Sequence, residues 1–295
     1  SQVPRNSFYI TSKTNLATLK HDPTESGFRK RLEMSLSRLK VDYIDFYYLW
    51  CMLDEKMLKE NCDILIPLFE KVKKEGLIRH FVLSSHMEGD TLSEIIDSNI
   101  FDGILLGYNP LNYKYRKQGI EAAYKAGLGV SIMNPLGGGL IPRNPKYFSN
   151  FSEKSENVAQ GVLRSLASHE EISLVLNGFS TKEHVDDAVK AVEELRERPM
   201  QEVQKQYEKL SSIKNKLCTG CGYCNYCPKG IDIPKYMDAY NEKILGSSII
   251  GRLRKHWRIS ARDAGKCIKC RKCENLCTQH LPITERLEEI ANIIK

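Results

Sequence analysis

The chain has 295 residues, 41% of them hydrophobic and 27% charged, with a formal net charge of +7. That length supports one large domain plus a small one, and no run approaches the roughly 18 apolar residues that cross a bilayer, which excludes a helical membrane span. Lys and Arg are mostly interspersed with Asp and Glu and no recognition motif accompanies them, so nucleic-acid binding is not expected.

From the start to about Asn177, short β-rich apolar runs alternate with stretches of helical period, the pattern of repeated βα units around a parallel sheet. Six strands are expected: Phe8 to Ser12, Tyr43 to Trp50, Phe81 to Ser84, Gly103 to Tyr108, Gly129 to Met133 and Leu174 to Leu176. Between the first two, Phe28, Leu32, Leu36 and Leu39 recur at near-helical spacing and predict one apolar helix face. Leu65, Leu68, Phe69 and Val72 predict another, with Gly76 as its C-terminal stop. Six strands fall short of the eight in a closed (β/α)8 barrel. The first two βα units are therefore expected to be absent from this chain, and the open strand edges predict self-association or a bound partner. Thr181 to Leu195 reads as a helix, Pro199 interrupts it, and Gln201 to Lys216 reads as another. The domain boundary is placed there, giving domains 1–198 and 199–295. A further helix is expected over Pro234 to Leu245, and Arg252 to Arg258 forms a local basic patch beside Trp257. No internal repeat is visible beyond the βα alternation.

Ten cysteines are present. Ser1 to Asn6 are polar with no apolar stretch, so a reducing cytoplasm is expected, and cysteines there are metal ligands or catalysts more often than disulfides. Cys51 and Cys62 stand alone. The other eight form two arrays, Cys218-x2-Cys221-x2-Cys224-x2-Cys227-Pro228 and Cys267-x2-Cys270-x2-Cys273-x3-Cys277. Three thiolates at x2 spacing wrap three corners of a 4Fe-4S cubane, and the fourth ligand comes from the other array, as in two-cluster ferredoxins. Cys218, Cys221, Cys224 and Cys277 are thus assigned to one cluster, and Cys267, Cys270, Cys273 and Cys227 to the other. Structural zinc also uses C-x2-C pairs, but not two consecutive triplets with a distal fourth cysteine. The first array has x2 before its last cysteine where x3 is usual.

Several motifs in the βα region resemble a known family. They are Thr11-Ser12-Lys13 at a strand end, Asp42 to Tyr47, Lys74 to Arg79, Tyr108-Asn109, Pro135-Leu136-Gly137-Gly138-Gly139 and Gly178 to Thr181, followed by Cys218 to Cys224. In this order they are similar to aldo-keto reductases fused to a C-terminal ferredoxin-like domain, a type common in anaerobes. The resemblance implies an α/β fold, a TIM (β/α)8-type barrel followed by a small α-helical ferredoxin-like two-cluster domain. It further implies NAD(P)H at the C-terminal strand ends and a catalytic tetrad of Asp, Tyr, Lys and His. Lys13 matches the family lysine, whose charge lowers the pKa of a tyrosine proton donor. Trp50 stands where the family has its histidine, and an indole does not titrate. The family's Asp and Tyr fall in the upstream βα units. His86, after the third strand, is a candidate substitute acid-base group. By the same resemblance Pro135, Leu136, Gly137 and Gly138 approach a nucleotide phosphate, as do Gly178 and Ser180 at a helix start. His184 and Asp187 lie where the family contacts the adenosine half, with Ala188 in place of the following Asn.

Two readings follow. One is an iron-sulfur oxidoreductase coupling NAD(P)H to two 4Fe-4S clusters for reduction of a small carbonyl or related substrate. The other is an electron-transfer or scaffold subunit with a catalytically silent barrel. Either implies a one-electron carrier, such as a ferredoxin or another redox subunit, as partner.

Overall fold

The computed structural model describes residues 3–15, 24–52, 55–96, 100–153, 156–193, 195–210, 213 and 216–293, without the side chains of 15, 51, 57, 61 and 62. The side chains of Cys51 and Cys62 thus lie outside the described residues. The chain divides into two compact units: Ser1–Gly107, Tyr115–Met133 and Glu171–Leu176 form the first, and Tyr108–Lys114, Asn134–Glu170 and Asn177–Lys295 the second.

The first unit holds a six-stranded sheet in the order β1-β2-β3-β4-β5-β6. The strands are β1 (Thr11–Asn15), β2 (Ile44–Met52), β3 (Ile78–Ser85), β4 (Gly103–Gly107), β5 (Gly129–Met133) and β6 (Leu174–Val175). Every neighbouring pair is parallel. Sequential order with parallel pairing is what βα crossovers of one hand produce, and the sheet is a partial (β/α)8 barrel. Helices α1 (Glu25–Leu39), α2 (Glu55–Lys74), α3 (Gly89–Ile96) and α4 (Lys117–Lys125) fill the crossovers between β1 and β5. Thr24 caps α1 by accepting from the Gly27 N–H at 3.0 Å. Gly76, with φ +78°, ends α2, where the Leu77 N–H donates to the Val72 carbonyl at 3.0 Å.

Several boundaries differ from the sequence reading: β2 runs from Ile44 on to Met52, β4 and β6 stop one residue early, and the helix expected over Thr181 to Leu195 spans Lys182–Lys190. β1 begins at Thr11, not Phe8: Arg5–Ser7 forms a 3-10 turn, Tyr9 is 77% exposed, and the ladder starts at Thr11 opposite Phe46. β3 begins at Ile78, because Arg79 and His80 continue the ladder while their side chains stay exposed. Leu39 is exposed and adds nothing to the apolar face of α1, since the helix ends there and Lys40 turns left-handed at φ 55°. Phe28, Leu32 and Leu36 are buried as the periodicity predicts, as are Leu65, Leu68, Phe69 and Val72.

An aromatic chain holds the helices to the sheet. Phe69 of α2 stacks on Phe81 of β3 with ring centroids 3.4 Å apart, and Phe28 of α1 meets Phe69 at 5.0 Å. Asp45 of β2 is buried and structural: it accepts from the Ile10 N–H at 2.8 Å and from Arg5 at 2.5 Å. Burial alone would raise its pKa, but these donors hold it below the usual carboxylate range.

The second unit contains α5 (Val158–Ala167), α6 (Lys182–Lys190), α7 (Met200–Glu208), α8 (Ile233–Ile244) and α9 (Ile283–Asn292). α7 stops well short of the predicted end at Lys216, and residues 211, 212, 214 and 215 of that stretch lie outside the described residues. The core of the unit around α7 includes a polar knot: His169 Nε2 lies 3.1 Å from the Tyr207 hydroxyl and 3.4 Å from that of Tyr108, to which Gln204 donates at 3.2 Å.

The cysteine segments form an internal repeat that residue identities conceal. Residues two and four after the first cysteine are left-handed in both arrays, Gly220 and Gly222 in one, Lys269 and Arg271 in the other. So are the residues three after the last cysteine, Gly230 and His280. The first Sγ accepts from the backbone two residues on in each case, Gly220 N–H to Cys218 and Lys269 N–H to Cys267, both at 3.4 Å. α8 and α9 then start six residues after Cys227 and Cys277. They bury matched positions in one core: Ile231 and Leu281, Ile233 and Ile283, Met237 and Leu287, Tyr240 and Ile290.

Removing the ring that stacks on Phe81 leaves a cavity under the sheet. Phe69→Ala is expected to cost about 3–5 kcal/mol, a large part of a typical total of about 5–15 kcal/mol. A lowered urea midpoint followed by circular dichroism checks it, and an unchanged midpoint contradicts the packing described.

Candidate functional site

In a parallel sheet the strand C-termini share one edge; Trp50 lies near it and His86 just past it. Lys13, expected at a strand end, is instead the middle residue of β1 and pairs with Tyr48, because the strand begins at Thr11 and runs on to Asn15. Lys13 lies on β1, Trp50 near the end of β2, opposite Asn15, and His86 directly after β3. The Lys13 ammonium stands over the Trp50 ring, 4.6 Å from its centroid, a cation-π contact. His86 is tied to the end of β2 through its N–H and the Met52 carbonyl at 2.9 Å. Burial, with a smaller push from the Arg116 charge, drives the His86 imidazole down to about 4, so the ring is neutral near pH 7.

The turn Pro135 to Gly139 is built from backbone that side chains resist. Asn134, Gly137, Gly138 and Gly139 all have positive φ. Asn109 donates from Nδ2 to the Asn134 carbonyl at 2.9 Å, and Asn134 Oδ1 accepts from the Gly138 N–H at 2.6 Å. Gly138 is needed for a second reason, because a Cβ there would lie 2.6 Å from the carbonyl oxygen of Thr219 in the first cysteine array. A cavity of about 440 Å³ is lined by Gly137 and Gly138 together with Cys218, Thr219 and Gly220. Arg143, Lys235, Arg252 and Trp257 complete its wall, with Asp238 accepting from Arg252 Nε and from Trp257 Nε1, both at 2.7 Å.

The other expected nucleotide contacts lie around the start of α6. The helix is capped by Thr181, which accepts from the His184 N–H at 3.4 Å, and the Ser180 N–H donates to His184 Nδ1 at 3.2 Å. Both Asp187 carboxylate oxygens are engaged, by Asn157 Nδ2 at 2.9 Å and Gln160 Nε2 at 2.8 Å. These are the residues of the capping box that starts α5, so Asp187 anchors one helix to the other. Gly178 has open space above it.

All eight array cysteines are free of disulfides. Cys218, Cys221, Cys224 and Cys277 are mutual electrostatic neighbours, which is the set assigned to one cluster from spacing. Cys221 Sγ lies 3.4 Å from the Thr278 hydroxyl, beside Cys277. In the second set Cys267 and Cys273 are neighbours, and both pack, with Cys227, on the core shared by α8 and α9. Burial pushes the Cys218 and Cys224 thiols up to about 12, so as free groups they stay protonated and lose their protons on binding metal. Disulfide-free thiols that range from buried Cys224 to exposed Cys221 and Cys270, with backbone N–H groups directed at the Cys218 and Cys267 sulfurs, have the donor chemistry of an iron-sulfur site.

Sequence reading missed two supporting residues. Buried Asn241 of α8 brackets the Cys218 peptide, accepting from its N–H at 2.8 Å and donating to its carbonyl at 2.9 Å. Buried Arg286 of α9 donates to the Lys216 carbonyl at 2.8 Å and lies over the Tyr240 ring, while its Nη1 is buried with no hydrogen-bond partner. Its charge acts on Cys218 and Cys277. The matched position in the other half of the repeat is the uncharged Tyr236, which donates to the Ser260 carbonyl at 2.6 Å. A lone Asn or Arg on a helix carries no sequence signal of this kind; the repeat register reveals it.

The model of the aldo/keto reductase family matches residues 1–212. The chain belongs to the aldo/keto reductase family. A 4Fe-4S dicluster domain model matches residues 217–282. Among curated relatives, an uncharacterized oxidoreductase, YqkF, of Bacillus subtilis is 26% identical over 42% of this chain and 39% of its own length. L-galactose dehydrogenase of Arabidopsis thaliana is 27% identical over 72% of this chain and 73% of that protein. The chain thus spans well under half of the first of these and nearly three quarters of the second. The aldo-keto reductase AKR11C1 from Bacillus halodurans, in its holo form, superposes with a TM-score of 0.56 at 22% identity, covering 70% of this chain and 73% of that one. That likeness shows the shared barrel fold of this aldo/keto reductase chain. No helix among the described residues is long and apolar enough to cross a membrane.

Burial holds His86 at about 4 and His169 at about 3, both below the free value of 6.5. Each ring is neutral in the folded state and takes up a proton on unfolding below pH 6.5. Stability is therefore full above pH 6.5 and falls as the pH drops toward 4, by about 1.4 kcal/mol per pH unit for each ring. Melting temperature against pH tests this, with His169→Gln expected to flatten the slope; an equally steep slope in that variant contradicts the assignment.

Proposed function

We propose that this chain is an iron-sulfur oxidoreductase that couples NAD(P)H to two 4Fe-4S clusters for reduction of a small carbonyl or related substrate. The observation that carries the reading is the cavity lined by both the glycine turn and the Cys218 to Gly220 backbone. A nucleotide drawn to that turn lies against the cluster loop. Family membership supports the nicotinamide, the dicluster match supports the clusters, and relatives named as oxidoreductase and dehydrogenase support redox chemistry. When bound, the clusters exchange electrons singly, which matches a two-electron nicotinamide to one-electron carriers.

In this reading Cys218, Cys221, Cys224 and Cys277 hold one cluster, and Cys227, Cys267, Cys270 and Cys273 the other. Pro135, Leu136, Gly137, Gly138, Gly178, Ser180 and His184 receive the nucleotide, while Asp187 orients the helix that carries His184. Lys13 supplies positive charge beside Trp50, close to the strand ends where chemistry concentrates in this fold. The domains divide near 198, the thiols call for a reducing cytoplasm, and a ferredoxin or other redox subunit exchanges the electrons.

A second reading is favoured by the Lys13–Trp50 contact. The lysine charge is turned onto an indole that stands in place of the family histidine. On that basis the barrel is a silent scaffold and the chain an electron-transfer subunit.

Anaerobic titration of the iron-loaded protein with NADPH and NADH, followed by visible absorbance and low-temperature EPR, separates the two. Reduction of the clusters by either nicotinamide is expected. Reduction by dithionite but by neither nicotinamide would establish the second reading. In Gly138→Ala the added Cβ displaces the turn from Thr219, and nicotinamide-driven reduction is expected to slow about tenfold or more while dithionite reduction is unchanged. In Arg286→Gln the potential of one cluster is expected to fall by roughly 50 mV or more as a buried cation is lost. Redox titration by EPR checks this, and equal shifts in both clusters would contradict the placement of Arg286.

A further inference from the structure

The two arrays share a backbone and differ in charge. Between its first three cysteines the first array carries Thr219, Gly220, Gly222 and Tyr223, and the second carries Ile268, Lys269, Arg271 and Lys272. Thr219 and Cys224 of the first are buried, whereas every residue from Ile268 to Lys272 is exposed, Cys270 included. Lys269 and Arg271 hold left-handed backbone at φ 54° and 57°, where the first array has glycine. Side chains other than glycine are disfavoured there, so two cations occupy positions that cost the chain conformational strain, and such strain gathers at functional sites.

The charge is also less dispersed than the sequence first suggests. From Arg252 to Lys272 there are nine Lys and Arg against Asp263, a net of +8, while the whole chain carries +7. The remainder is slightly acidic. Some of these cations are paired: Arg252 with Asp238, Lys266 with Asp263, Lys269 with Glu288 and Arg271 with Glu274. Arg254, Lys255, Arg258, Arg262 and Lys272 have no carboxylate partner among the described residues. Ile268, 55% exposed, adds an apolar contact beside Cys267.

We propose that the exposed face of the second array, from Arg262 to Lys272, is the docking surface for an acidic one-electron carrier protein. The inference rests on the two-cluster reading above and assigns the clusters different tasks. One electron leaves the reduced centre of the carrier and enters the cluster at Cys267, Cys270 and Cys273, with no bond made and no proton moved. The uncharged and more buried first array relays it to the glycine turn, where two such electrons and one proton from solvent reduce an oxidised nicotinamide to its reduced form. Surface charge of one sign raises the encounter rate of an oppositely charged partner, and salt lowers it.

The test uses the full iron-loaded chain with a reduced, acidic [2Fe-2S] ferredoxin as carrier, in anaerobic stopped flow across a range of ionic strength. Lys269→Gly with Arg271→Gly installs the residues of the first array at the same backbone positions, and Arg262→Gln with Lys272→Gln is a second pair at exposed sites. Wild type is expected to be reduced at a rate that falls steeply with salt. Each double variant is expected to slow about tenfold at low salt and to lose most of the salt dependence, with dithionite reduction unchanged. Wild-type rates and salt slopes in both variants would overturn the proposal. So would salt-dependent binding of duplex DNA or single-stranded RNA by wild type, lost in the variants, with carrier rates unaffected. Failure of the two-cluster reading shows separately, as wild-type iron and sulfide content and EPR intensity that do not account for two clusters.

Discussion

Thiolates can surround a cluster only if the backbone doubles back between them, and this constraint organises the C-terminal part of the chain. Each array meets it with left-handed residues two and four after its first cysteine and another three after its last. The reversal aims a backbone N–H at the first sulfur and releases the chain into a helix, whose apolar face then joins the common core. Burial holds the Cys218 and Cys224 thiols protonated as free groups, so metal binding at them would be coupled to the loss of those protons.

Within that symmetric frame the differences carry the chemistry. Asn241 fixes the Cys218 peptide in one half, where the other half has Ala291 at the matched position. Arg286 puts a buried cation near one set of thiols, where its counterpart Tyr236 puts a phenol. Two clusters in one repeat would be near-equivalent without such differences, since potential follows net charge, hydrogen bonding and exposure. The glycine turn adds direction: the approach of Thr219 to Gly138 leaves no room for a side chain.

The barrel portion shows the opposite balance. Its strands, helices and aromatic packing follow ordinary rules, and the departure lies near the strand ends. There Lys13 faces the Trp50 ring, and His86 is neutral and largely buried. The lysine side chain thus meets the face of an indole, which exchanges no proton.

The parallel βα alternation and the buried faces of α1 and α2 were legible in the sequence, because helical and strand periods are local properties of the chain. So was the 4Fe-4S character of the C-terminal part, because two cysteine arrays at x2 spacing are a local pattern. The strand ends at Thr11 and Ile78 were not legible, since backbone pairing with β2 decides them against side-chain character. The internal repeat was hidden because glycine in one half and Lys269 and Arg271 in the other hold the same dihedral angles. By itself the sequence determined which elements form and that the cysteines gather in two C-terminal arrays, through composition and spacing. The tertiary structure decided what surrounds each site, the Thr219 carbonyl over Gly138, the guanidinium beside Cys218 and the indole under Lys13, because those contacts join residues far apart in the chain that no local pattern connects.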